Sequence, residues 1–181
     1  MCNRSKLNIC VLAIFSLLLV CLAVSALGKT SLLLVSSAFK HNGMIPKKYS
    51  SYGKNISPPL KWSGVPAKVK SFALICDDPD APGATFVHWV IFNIPASARS
   101  LKENIPEGGT LPDGSIQGTS GTGAYGYFGP EPPSGTHRYM FKLYALSTKL
   151  DLQSTATKAD VEEAMKGKIL AQTLLIGKYK K

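Results

Sequence analysis

The chain has 181 residues, a length that suits one domain, and carries 21 Lys and Arg against 11 Asp and Glu, a formal charge of +10. The basic residues are scattered (Lys40, Lys47, Lys48, Lys54, Lys61, Lys68, Lys70, Lys102, Lys142), with no arginine-rich run and no interleaved aromatics, so nucleic acid is not an expected partner. What the charge does imply is a weak attraction to anionic surfaces or ligands.

The first residues read as an export signal. Arg4 and Lys6 form a positive start, Val11 to Val24 an apolar run, and Val24-Ser25-Ala26 a small-residue cleavage site, which predicts a cut after Ala26. A membrane anchor would need about 20 apolar residues. A lipoprotein would acylate Cys21, which Val20 disfavours. The chain is therefore expected to be exported, periplasmic or secreted, with residues 1–26 as signal peptide and 27–181 as the folded domain. The cut lowers the charge to +8 and removes Cys2, Cys10 and Cys21. Cys76 alone remains, so no internal disulfide is expected, and its run SFALIC makes it a small buried hydrophobe.

Thr30 to Ser37 is apolar enough for a first strand, His41-Asn42-Gly43 is a turn, and Lys47 to Pro59 is polar loop. Leu60-Lys61-Trp62 alternates briefly. Lys70 to Cys76 is nearly continuous in apolar residues, as a central strand covered on both faces would be. It runs into Asp77-Asp78-Pro79-Asp80-Ala81-Pro82-Gly83, a tight turn with three carboxylates. Phe86 to Ile94 is a second buried strand, and strict alternation puts His88, Val90, Phe92 and Ile94 on one face. Residues 96–123 read as loops and short strands.

The stretch GYFGPEPPSGTHRYMFKLYAL (126–146) begins as a loop stiffened by Gly129, Pro130, Pro132, Pro133 and Gly135. It ends as a strand with His137, Tyr139, Phe141, Leu143 and Ala145 on one face. Thr157 to Asp160 resembles a capping box, and Val161, Ala164, Met165 and Ile169 sit at helical spacing, with Gly167 weakening or ending that helix. Thr173 to Tyr179 reads as a last strand. Strands dominate, so the expected fold class is mostly β, sandwich-like, with helix near the C-terminus.

Three apolar strands each deliver polar groups at one end: Asp78 and Asp80, His88, and His137 with Tyr139. Each has a plainer explanation: Asp-Pro-Asp forms turns, a strand histidine is usually a hydrogen-bonded core residue, and His137 beside Arg138 reads as a surface pair. Taken together they admit three chemistries. Two histidines and a carboxylate suit a metal, but the spacing matches no short ligand motif. A hydrolase would need a nucleophile, and no G-x-S-x-G is present. A small anion pocket, with imidazole, hydroxyl and loop amides as donors and an Asp orienting a His, needs neither metal nor nucleophile and fits best.

DPDAP (78–82), VHW (87–89) and GPEPPSGTHRY (129–139) resemble the two signature regions of the phosphatidylethanolamine-binding protein family, most closely its prokaryotic Raf-kinase-inhibitor-like branch. SSAFKHNGMIPKKYS (36–50), NISPPLKW (55–62), FNIP (92–95) and AMKGKILAQTLLIGKY (164–179) extend the likeness over nearly all of 31–180. The resemblance implies a large central antiparallel sheet packed on a smaller one, with no catalytic residues and no cofactor. It implies a pocket for phosphate-type anions or phospholipid head groups, walled by Asp78, Pro82, His88, Gly129, Pro132, Pro133, His137 and Tyr139. Asp80 would be structural and Ala81–Pro82 a candidate cis bond. It also implies, as the alternative, an inhibitor of a kinase or protease, with membrane contact at most peripheral. The chain departs from the pattern at Ser51 and Glu131, where many relatives have cysteine, in 118–124, which lacks an Asn-Asp, and at Lys168, expected to alter one rim contact. Glu131 would repel a phosphate if it pointed inward.

Overall fold

The computed structural model describes residues 31–181, so the expected signal peptide and the cut after Ala26 lie outside the described residues. The elements in chain order are β1 (Leu33–Ser36), β2 (Gly43–Met44), β3 (Leu60–Ser63), β4 (Ser71–Asp78), β5 (Phe86–Pro95), β6 (Ser100–Leu101), β7 (Ile116–Gln117), β8 (Thr136–Leu146), α1 (Lys158–Met165) and β9 (Ile169–Lys180). Six strands form one sheet in the order β2-β9-β8-β4-β5-β7, and β1-β3-β6 form a second. All pairings are antiparallel except the short β2–β9 contact. This is the two-sheet, mostly β architecture expected.

Every residue of β4 is buried, because it lies between β5 and β8 and is covered on both faces. Phe72, Leu74 and Cys76 join the core between the sheets, with Trp62 of the smaller sheet edge-on to Phe72 at 5.3 Å. Ala73 and Ile75 join the opposite core, roofed by α1 through Val161 and Met165. The Cys76 thiol is free and 1% exposed, and burial pushes its pKa well above the usual thiol value. In β8 the alternation holds: Tyr139, Phe141, Leu143 and Ala145 all enter the inter-sheet core.

Strict alternation fails in β5. Phe72 pairs with Ile94 but Leu74 with Ile91, and Cys76 pairs with Trp89 but Asp77 with Val87, so β5 carries one extra residue at each of two bulges. Consequently Trp89, Ile91 and Ile94 face the inter-sheet core, whereas Val90 and Phe92 face the helix side. His88 is the surplus residue of one bulge and lies with the inter-sheet residues, not with Val90 and Phe92. Asn93 sits at the other bulge with φ 56, a left-handed conformation that asparagine tolerates. Its amide fixes the bulge by donating to the Leu150 carbonyl (2.9 Å) and accepting from the Leu150 N–H (2.8 Å).

The helix differs from expectation at its end. The capping box forms as read: Thr157 Oγ1 accepts from the Asp160 N–H, and the Asp160 carboxylate accepts from the Thr157 N–H. The helix stops at Met165, and Gly167, with φ 70, turns the chain. Ile169 belongs to β9, which starts four residues earlier than the expected Thr173. The first strand is shorter than Thr30 to Ser37, and a 3-10 turn, Lys47–Tyr49, interrupts the polar loop. Among the described residues no helix is long and apolar enough to cross a membrane.

Asn93→Ala strains a left-handed residue and strands the Leu150 N–H and C=O in a buried position. It is expected to cost about 2–4 kcal/mol, read as a drop in the urea unfolding midpoint at unchanged slope; a change below about 0.5 kcal/mol would show that the bulge does not depend on this side chain.

Candidate functional site

The turn after β4 is built by where its carboxylates go. Asp78 Oδ1 accepts the Asp80 N–H at 2.8 Å, an Asx-type turn. Asp78 Oδ2 accepts from His137 Nδ1 at 2.7 Å, with both side chains buried. Asp80 accepts from Arg138 three times: from Nε (2.9 Å), from a terminal guanidinium nitrogen (2.7 Å) and from the backbone N–H (2.9 Å). The Arg138 hydrogen bonds hold the Asp80 carboxyl at about 2, against partial burial, which acts in the other direction. Asp77 points to the other face, where it accepts from Lys142 (2.8 Å) and from Lys158 of α1. His137 and Arg138 are thus not a surface pair. Facing opposite ways at the start of β8, they each take a carboxylate of the same turn. The turn closes with all peptide bonds trans, Ala81–Pro82 included, which corrects the expected cis bond. Trans is the ordinary preference of an X–Pro bond, and the hydrogen bonds around Asp78 and Asp80 make the reversal without a cis bond.

His88, swung inward by its bulge, is boxed by Phe86 (4.9 Å between ring centroids), Phe128 (5.8 Å) and Tyr139 (5.0 Å, edge-on). Its Nδ1–H donates to the Phe128 carbonyl at 2.7 Å, and its own carbonyl accepts the Phe128 N–H at 2.8 Å. Burial lowers its pKa below the usual histidine value, opposed by the Phe128 carbonyl and the charges of Asp78 and Asp77. A carbonyl and a carboxylate only accept, so both imidazoles carry their proton on Nδ1 when neutral. Among the described residues neither Nε2 makes a hydrogen bond.

These rings line a cavity of about 230 Å3, together with Asp78, Ala81, Pro82, Ala84, Phe86, Phe128, Glu131 and Pro133. Of the residues expected in the wall, Asp78, Pro82, His88, Pro133 and His137 are there; Gly129, Pro132 and Tyr139 are not. The reason differs for each. Gly129 passes so close to the 47–55 segment that a Cβ would lie 2.4 Å from the Tyr49 carbonyl, and its N–H donates to Asn55 Oδ1 at 2.7 Å. The Pro132 carbonyl faces away, accepting from the Tyr52 hydroxyl at 3.3 Å. Tyr139 is 1% exposed behind His88, and burial pushes its pKa well above the usual phenol value, opposed by the Glu131 backbone N–H. It packs edge-on against the His88 ring and is not among the residues that line the cavity. Phe86 and Phe128 were missed as wall residues because each reads as ordinary strand or loop apolar sequence.

Glu131 does border the cavity, on the side where Ser51 holds the neighbouring Pro130 carbonyl through its N–H and hydroxyl, both at 3.2 Å. Segment 118–124 touches the site indirectly: Gly121 packs against the Phe86 ring. Lys168 does not reach the rim. Its carbonyl accepts the Ser147 N–H at 2.9 Å, past the far end of β8 from His137. Among the described residues no group of three or more His, Cys, Asp or Glu is arranged to hold a metal.

A family model described as phosphatidylethanolamine-binding protein matches residues 35–180. The chain belongs to that family. The UPF0098 protein of Methanothermobacter thermautotrophicus is 57% identical over 148 residues, covering 82% of this chain and 98% of its own length. The UPF0098 protein of Aquifex aeolicus is 49% identical over 151 residues, covering 81% and 86%. Among solved structures, the Chlamydia trachomatis homologue of the phosphatidylethanolamine-binding proteins matches with a TM-score of 0.78 at 38% identity, over 84% of this chain and 99% of that one. YbcL of Escherichia coli, described as a new member of the mammalian family, matches with a TM-score of 0.78 at 33% identity, over 83% and 99%. The two-sheet fold is therefore the family's, and the cavity lies among the motifs that carry the resemblance.

Two outcomes test this geometry. Gly129→Ala must push the loop off the Tyr49 carbonyl and is expected to destabilise the protein by about 1–3 kcal/mol, measured by thermal or urea unfolding. Asp80 should titrate near 2 by carboxyl NMR, and Arg138→Ala should return it toward its ordinary value of 3.8. Because the folded pKa lies below the unfolded one, what Asp80 contributes to stability is present above about 4 and is lost as pH falls through about 2.

Proposed function

We propose that the protein is a non-enzymatic binding protein that acts outside the cytoplasm, its cavity taking a small phosphate-type anion or a phosphorylated head group. One observation carries this reading: two imidazoles, on the strands β5 and β8 that flank β4, are each anchored through Nδ1–H and line one small cavity. A volume of about 230 Å3 is below the range usual for drug-sized ligands, which suits a head group and not a whole lipid. The lining holds aromatic rings, prolines and alanines beside the polar groups, with no hydroxyl, thiol or amine to act as a nucleophile, which favours binding over covalent chemistry. Export rests on Arg4, Lys6 and the apolar run to Val24.

The anchoring adds a condition. A neutral imidazole with Nδ1 protonated offers only a lone pair at Nε2, so a fully ionised phosphate finds no donor there. Binding must bring a proton, either on an imidazole or as the P–OH of a phosphate monoanion, whose second pKa is about 6. Burial lowers the His88 pKa and so disfavours its imidazolium.

The test is an NMR titration that follows the His88 and His137 rings with phosphate, phosphorylethanolamine, nucleotide and acetate. Saturable shifts at both rings are expected with the phosphates, tightening as pH falls from about 8 to about 6. His137→Gln, whose amide can still donate to Asp78, is expected to stay folded and lose binding at least tenfold, in line with the loss of a charge-assisted hydrogen bond. No shift with any anion in the folded protein removes the anion reading and leaves a protein partner. Finding Leu27 at the N-terminus of the protein isolated from outside the cytoplasm would support the export reading.

A further inference from the structure

We propose that Glu103, which does not line the cavity, is a positioning residue for it: through the Tyr49 hydroxyl, its carboxylate holds the 129–133 loop where ligand binding needs it. The inference rests on the anion reading above and adds a residue outside the motifs that carry the resemblance. Glu103 Oε2 accepts from the Tyr49 hydroxyl and Oε1 from Lys48 Nζ, both at 2.6 Å. The stretch that carries Glu103 is itself fixed. The Asn104 N–H donates to the Ser57 carbonyl at 3.0 Å, and the Ile105 N–H to Ser57 Oγ at 2.9 Å. Residues 103–105 therefore grip segment 48–57 at both ends.

That segment in turn supplies the contacts beneath the loop. The Tyr49 carbonyl accepts from the Tyr127 hydroxyl at 2.9 Å and is the atom that leaves no room for a side chain at Gly129. Asn55 accepts the Gly129 N–H, while the Ser51 and Tyr52 hydroxyls donate to the Pro130 and Pro132 carbonyls. Among the described residues, the side-chain hydrogen bonds that tie 47–55 to anything beyond itself and residues 127–132 are those to Glu103 and one between the Ser50 and Tyr179 hydroxyls (3.0 Å). Hydrogen bonds from Lys48 and Tyr49 lower the Glu103 pKa, so it is a carboxylate at neutral pH, the stronger kind of acceptor. Lys48 is exposed, and such a pair contributes little by itself. The Tyr49 ring is buried in the inter-sheet core, so the constraint passes through it. Phe128 is paired with His88 through both its N–H and its carbonyl, so a shift of the loop moves a cavity wall.

The probe is inorganic phosphate, its affinity followed by NMR of the His88 and His137 rings at a temperature where every variant is folded. Apparent affinity falls by the fraction of time the loop spends out of place, so Glu103→Ala should weaken binding at least about threefold. Glu103→Gln, whose amide oxygen still accepts the Tyr49 hydroxyl, and Lys48→Met should each stay within about twofold of the wild type. Tyr49→Phe keeps the ring and loses the hydroxyl, so it should match Glu103→Ala. The double variant should be no weaker than either single one, because both remove the same bond. In the ligand-free protein, Glu103→Ala should speed hydrogen exchange at the Gly129 and Ser51 amides and leave β4 unchanged, which separates local loosening from a global loss of stability. If phosphate binds the wild type but Glu103→Ala stays within about threefold of it, or the single effects multiply in the double variant, this role is overturned and the anion pocket stands. If no phosphate binds the wild type, the anion reading falls and this role with it.

Discussion

The position of the whole site depends on one hydrogen bond, from His137 Nδ1 to Asp78 Oδ2. It joins the end of one central strand to the start of the next across a buried environment, where a carboxylate without a partner would be costly. The same carboxylate also shapes its own turn through the Asp80 N–H. Turn geometry and ring orientation are therefore coupled, and neither can shift alone. Asp77 and Asp80 extend the arrangement outward on opposite faces. Each is held by cations from other elements, so three acidic residues within four positions end in three different surroundings.

The second wall of the cavity is set by a different device. The bulge at His88 turns the ring toward the inter-sheet side, and the reciprocal pairing of His88 with Phe128 ties the stiff loop to that strand. Beneath the loop, Gly129, Asn55 and Tyr49 make a close backbone contact that fixes its height. Prolines remove flexibility from the loop, and hydrogen bonds from Asn55, Ser51 and Tyr52 fix where it lies. The cavity is thus formed by two strand ends and a braced loop.

Much of this was legible in the sequence. The alternation in β8 put His137 on the correct face, and the near-continuous apolar run of β4 marked it as central. What period counting could not show was the pair of surplus residues in β5: a bulge changes side-chain direction without changing composition, so His88 was grouped with Val90 and Phe92. Ile169 fits helical spacing as well as a strand, and only the left-handed Gly167 separates the two. The family pattern placed Gly129 and Tyr139 among the wall residues. They matter to the wall, but from behind it, Gly129 by having no side chain and Tyr139 by packing on a ring. A motif records which residues belong to a site and does not record which of them touch its contents. Lys168 illustrates the limit, since it lies beyond the other end of β8.

The short length of β2 has a consequence for how this protein behaves when crowded. β2 pairs with β9 only at Gly43 and Met44, opposite Gly177 and Lys178. Along 169–175 the outer backbone of β9 has no strand beside it among the described residues, and Ile169, Leu170 and Leu174 are exposed there. No charged side chain interrupts that stretch; the first is Lys178. An uncharged edge of this length is a template for pairing with another chain; a bulge at Leu170, the surplus residue between Ile169 and Ala171, blunts only its start. Colloidal stability then falls to the net positive charge of the molecule, a long-range repulsion that salt screens. The same basic surface that would draw the protein toward anions also keeps its copies apart, and high ionic strength weakens both.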